Sequence, residues 1–149
     1  MSRYCLLYLV VMIAGCSGER SSLIGVTGDK LRPCPDSPNC VSSQSSDPRH
    51  AIAPIRYEGT AEEARELLIK VVLGMKRSRI VISENSYLHA EFTSAFFRFV
   101  DDVEFVLDDR KKLIHVRSAS RVGYSDFGVN RKRVEEIRRR FDALIKEKS

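Results

Sequence analysis

At 149 residues, with 43% hydrophobic and 30% charged side chains, the chain can bury one ordinary core and has no room for two. Its formal charge of +5 is unevenly placed: from residue 110 onward there are 13 Lys and Arg against 5 Asp and Glu, so everything before is slightly acidic. Basicity gathered in one region points to phosphate, lipid headgroups or an acidic polymer, or else to a solvated helix face.

Arg3 precedes an apolar run over residues 5–14, too short to span a bilayer and typical of a signal-peptide core. The run ends in Ile13-Ala14-Gly15-Cys16, which resembles the lipobox of bacterial lipoproteins, where small residues let the backbone enter the processing peptidase. Cys16 is then the lipidation site, and several acyl chains on it anchor stably where one would not. Ser17 in place of Asp resembles the outer-membrane sorting signal of enteric-type bacteria. The expected address is the cell envelope, lipid-anchored on the periplasmic side. Residues 1–15 read as the lipoprotein signal peptide, 16–30 as a small, polar, flexible tether, and 31–149 as one folded domain.

Three prolines and two Asx residues over 31–44 predict a stiff, turn-rich loop. It holds Cys34 and Cys40, the pair left once Cys5 is removed and Cys16 lipidated. In an exported protein such a pair reads first as a disulfide, with free thiols or half of a zinc site as the alternatives.

A first strand is expected over 51–57. Thr60 with Glu63 fits a capping box opening a helix that runs to about Met75, with Ala64, Leu67, Leu68, Val71, Val72 and Met75 on one stripe. Strands are expected at 79–83, 87–92, less regularly at 96–100, then 103–107 and 113–118, with Leu88, Ala90, Phe92, Val103, Phe105, Leu107, Ile114 and Val116 inward. The opposite face shows Tyr87, His89, Glu91, Glu104, His115 and Arg117, and reads as the wet face of an antiparallel sheet, not as a metal cluster. A last helix over 130–146 buries Val134, Ile137, Phe141, Leu144 and Ile145. The fold class is α+β: a single antiparallel sheet of about five strands with two helices on one face, in the order β-α-β-β-β-β-α, preceded by the Cys/Pro-rich loop. This order resembles the topology of half a TATA-binding-protein fold, an analogy without any implication of DNA binding.

The connection over 117–133, Arg-Ser-Ala-Ser-Arg-Val-Gly-Tyr-Ser-Asp-Phe-Gly-Val-Asn-Arg-Lys-Arg, concentrates the chemistry. Asn130 reads as the N-cap, yet Arg131, Lys132 and Arg133 follow it at the positive end of a helix dipole, which costs about 0.3–1 kcal/mol per charge unless negative charge is near. Asp101, Asp102 or Asp126 could supply it from within. An external anion could supply it instead, held by Arg117, Ser118, Ser120, Arg121, Asp126, Asn130, Arg131 and Arg133. Together with Cys-Pro-Asp-Ser-Pro-Asn-Cys-Val-Ser-Ser and Asp101-Asp102-Val-Glu-Phe, this stretch resembles the family catalogued as domain of unknown function 1499, found in bacteria and plants. The resemblance runs from about Leu31 into the last helix and supplies no catalytic residues.

No Gly-x-Ser-x-Gly elbow, His-Glu-x-x-His or P-loop occurs. A hydrolase would have to pair Ser118 or Ser120 with a distant histidine such as His89 or His115. Export and the lack of an aromatic-basic stacking pattern argue against nucleic acid. The expected protein is a non-catalytic binding module, without cofactor or metal, that takes an anionic small molecule, a lipid headgroup or an envelope protein on the 117–133 connection. A scaffold with an internal salt-bridge network is the alternative.

Overall fold

The computed structural model describes residues 24–148. The signal peptide, the lipidation site Cys16 and the first part of the expected tether lie outside the described residues. Ten elements follow in order: β1 (Val26–Thr27), β2 (Lys30–Leu31), β3 (Cys40–Ser42), β4 (Ile55–Arg56), α1 (Ala61–Leu73), β5 (Ser78–Ser83), β6 (Tyr87–Thr93), β7 (Val100–Asp108), β8 (Leu113–Ser120) and α2 (Val129–Lys148). The class is α+β, as the patterning predicts.

The main sheet has six strands in the order β3-β8-β7-β6-β5, with β4 also paired to β8, and all its pairings are antiparallel. The period-2 alternation in β6 to β8 sends Leu88, Ala90, Phe92, Val103, Phe105, Leu107, Ile114 and Val116 to one face, where both helices cover them in a single core. The helices meet it with the stripes read from their 3.6-residue period: Ala64, Leu67, Leu68, Val71 and Val72 from α1, and Val134, Ile137 and Phe141 from α2. Thr60 caps α1 in the expected reciprocal box with Glu63, and the helix ends at Leu73, two residues before Met75, where Gly74 N–H donates to Lys70 O and Met75 N–H to Val72 O.

Several expectations need correction. The sheet holds six strands instead of five because the Cys/Pro-rich loop is not wholly loop: its Cys40–Ser42 end pairs with Ala119, Ser118 and Arg117 of β8. The strand expected over 51–57 shrinks to Ile55–Arg56. Residues 96–99 form no strand. Ser94 N–H donates to Phe99 O at 2.8 Å, Phe99 N–H donates to Ser94 Oγ at 2.9 Å, and Arg98 takes φ 58°, so the chain reverses there as the β6–β7 turn. The end of the expected tether folds as a hairpin, with Val26 and Thr27 paired to Leu31 and Lys30. Finally, the second sheet face is not wet: Tyr87, His89, Glu91, Glu104 and Arg117 are all buried, and of the six residues read there only His115 is partly exposed.

Candidate functional site

The 117–133 connection leaves β8 at the end of the sheet that also carries the β6–β7 turn and enters α2. Arg117 sits in mid-strand opposite Glu104 and donates to Glu104 Oε2 at 3.0 Å. Both side chains are shielded from solvent, and Glu104 Oε1 also accepts from Tyr87 Oη at 2.8 Å and from Gly25 N–H at 2.6 Å. Burial, and then the Glu104 carboxylate, raise the Tyr87 phenol well above its ordinary range, so it stays a donor.

Arg121, just past β8, turns back under the sheet. It donates to Asp102 Oδ1 and Oδ2 at 2.7 and 2.8 Å and to Glu91 Oε1 at 2.6 Å. Glu91 is also held by Arg79 and Asp102 by His89 Nε2, the latter at 2.8 Å. Burial alone would raise the carboxyls of Glu91 and Asp102; Arg121, helped by Arg79 on the first and His89 on the second, outweighs burial and holds both below their ordinary values. Asp102 and then Glu91 in turn push the Arg121 guanidinium above its own. His89, Glu91 and Asp102 bring possible metal-ligand atoms within 4.8 Å of one another. The guanidinium of Arg121 already serves as the cation among them.

The helix-side face carries a second network. Arg133 donates to Asp101, to Asn130 Oδ1 at 2.7 Å and to Ser118 Oγ at 3.2 Å, and lies 4.9 Å from the centre of the Phe92 ring. Ser118 donates to Asn130 Oδ1 at 2.5 Å, while Asn130 Nδ2 donates to Ser120 Oγ, Asp126 Oδ2 and Asn39 O. Asn130 is not the N-cap: it lies in the first turn of α2 with its side chain buried as the hub of this network. Asp126 serves the helix start instead, accepting from Gly128 N–H at 3.0 Å and Asn130 N–H at 2.7 Å, and brings the negative charge that the dipole favours. Arg131 donates to the carbonyls of Ala51 and Arg49.

The Cys loop braces the same connection. Cys34 and Cys40 form a disulfide with a Cα separation of 5.7 Å. Next to it, buried Asn39 donates from Nδ2 to Gly123 O at 2.6 Å, and its carbonyl accepts from Ser120 N–H at 3.0 Å as well as from Asn130. The three stretches on which the family resemblance rests are therefore one hydrogen-bonded unit, with Asn39 joining the Cys loop to the connection and Asp101, Asp102 and Glu104 joining β7 to it.

No histidine touches Ser118 or Ser120 among the described hydrogen bonds. His89 is committed to Asp102 on the opposite face. His115, whose imidazole burial pushes below its ordinary value, faces Ser43 Oγ at 3.3 Å. A cavity of about 600 Å³ beside His115, His50 and the Cys loop is lined by charged groups of both signs. It is not lined by any residue of the 117–133 connection.

The sequence reading did not single out the surface at this end. Phe96, Phe97 and Phe99 on the β6–β7 turn, and Val122, Tyr124, Phe127 and Val129 on the β8–α2 connection, are all exposed; Phe96 is 92% and Phe127 88% accessible. Thr93 pairs with Val100, Asp101 with Ser120, and Arg121 N–H donates to Val100 O, so both loops project from the same sheet end. Phe97 and Phe99 stack at 5.4 Å. The available signal was Phe-Phe-Arg-Phe breaking the period-2 alternation, and Phe127 wedged between the turn residues Asp126 and Gly128.

The profile of the family described as "Protein of unknown function (DUF1499)" matches residues 30–141, well over half of the chain. No curated protein and no solved structure matches it.

Proposed function

The chain belongs to the DUF1499 family, and from that premise, which brings no reaction with it, we propose a lipid-anchored cell-envelope protein that works by contact and without chemistry. Its working surface is the loop end formed by 94–99 and 121–129. The arginines of the 117–133 connection are the frame that holds this end in shape. One observation carries the reading: Arg117, Arg121 and Arg133 are each engaged by a carboxylate of the same chain, while seven apolar side chains stand exposed on the two loops they support. Buried charges paired through hydrogen bonds hold one geometry, and exposed apolar side chains gathered at one end of the sheet mark an interaction site.

The address rests on the lipobox at Cys16. Mass spectrometry of the mature N-terminus tests it: an acylated Cys16 is expected, and an unmodified or uncleaved chain would refute the anchor. Photo-crosslinking from position 97 or 127 in intact cells tests the surface. Crosslinks are expected there and not from position 110 in the turn at the opposite sheet end. Equal labelling at all three, or at none, overturns the assignment.

A further inference from the structure

Resting on that reading, we propose that the occupant of the loop end is the bilayer itself: Phe96, Phe97, Tyr124 and Phe127 insert at the headgroup level of an anionic membrane and give the protein a second hold beside its acyl chains. Three observations favour lipid over a protein groove. The surface is a pair of projecting loop tips, and neither the cavity by the Cys loop nor the two smaller ones is lined by them. Aromatic side chains on loop tips are suited to the interface, where rings sit at the level of the headgroups.

The charge pattern fits as well. Lys76 and Arg77 precede β5, whose first residue Ser78 pairs with Phe92, so they lie at the same end, and Arg98 sits between the phenylalanines; all three are exposed. The sole acid in the two loops, Asp126, is occupied with the start of α2. An apolar tip with Lys76, Arg77 and Arg98 beside it, and no unengaged carboxylate within its two loops, complements anionic headgroups.

The chain length also permits it. Gly25 is held against Glu104, four strand residues or about 14 Å from the loop end. The eight residues between Cys16 and Gly25 reach at most about 30 Å. A bilayer that holds the acyl chains of Cys16 is therefore within reach of the loop end.

The chain has no tryptophan, so one introduced at a tip reports alone. Phe127→Trp would be placed in the mature protein, with Arg110→Trp in the opposite turn as the control, and each reconstituted into phosphatidylethanolamine/phosphatidylglycerol vesicles carrying brominated acyl chains. The Phe127→Trp emission is expected to move to shorter wavelength and to be quenched, while Arg110→Trp stays solvent-like. Combining Lys76→Glu, Arg77→Glu and Arg98→Glu is expected to reduce the quenching, as is replacing phosphatidylglycerol with phosphatidylcholine. A solvent-like, unquenched Phe127→Trp overturns the proposal. So does a blue shift without bromine quenching, which would mean burial against a second protein. Flotation with the vesicles and the N-terminal mass report the anchor separately, so protein that floats with an unquenched tip refutes insertion alone. A quenched tip on a non-acylated chain refutes the anchor alone.

Discussion

Replacing Arg117 with Met removes, among the described residues, the largest side chain to be fully buried, and leaves the Glu104 carboxylate at 0% exposure with only Tyr87 Oη and Gly25 N–H to hold it. Breaking a buried ion pair from one side costs about 3–5 kcal/mol, because the orphaned charge keeps its desolvation penalty. A domain of this size holds about 5–15 kcal/mol, so the variant loses a large share of its stability. With a urea slope near 2 kcal/mol per M, the unfolding midpoint should fall by about 2 M. Adding Glu104→Gln keeps an acceptor for Tyr87 and Gly25 while removing the charge, so the double variant should recover at least about 1 kcal/mol over Arg117→Met. Equilibrium urea unfolding followed by circular dichroism reads both. A single-variant loss below about 1 kcal/mol, the range of solvent-exposed pairs, would show that water reaches the pair and would refute the frame.

Further outcomes follow from the same geometry. Asn39→Ala should cost about 0.5–1.5 kcal/mol by urea unfolding, since it removes the hydrogen bond to Gly123 O, which solvent then reaches, and withdraws the brace from the connection. Phe97→Ser with Phe127→Ser should leave the midpoint within about 0.5 kcal/mol of the parent, because neither side chain is buried. Acid should destabilise the fold: the Glu91 and Asp102 carboxyls lie below their ordinary values of 4.5 and 3.8, so their contribution is complete above those values and is lost as pH falls through the folded-state ones. Thermal melts from pH 6 downward should therefore steepen below about pH 4.5, and Asp102→Asn should flatten that decline. Reducing the Cys34–Cys40 bond should remove only about 2 kcal/mol, the value for closing so short a loop.

Much of the fold was legible because it is written in local period and capping. The alternation of β6 to β8 named the inward residues, and Thr60 with Glu63 named the start of α1. Long-range pairing was not legible. Nothing local tells that Cys40–Ser42 adds to the edge of β8, or that Asn39 reaches Gly123 across 84 residues. The second face was misread as wet because alternation reports which side chains share a face and not whether that face is covered. The cations of the connection were visible as an anomaly, and Asp101, Asp102 and Asp126 were named as internal counter-ions. Glu91 and Glu104 were placed on that face without being recognised as partners, since their pairing depends on cross-strand register.

The claim that these guanidiniums are neutralised from within is tested most directly by the arginine Nε–H NMR spectrum during a titration with inorganic phosphate at constant ionic strength. Slowly exchanging signals from Arg117, Arg121 and Arg133 that do not move with phosphate are the predicted result. Saturable shifts of those signals would place an anion seat in the connection and contradict the account.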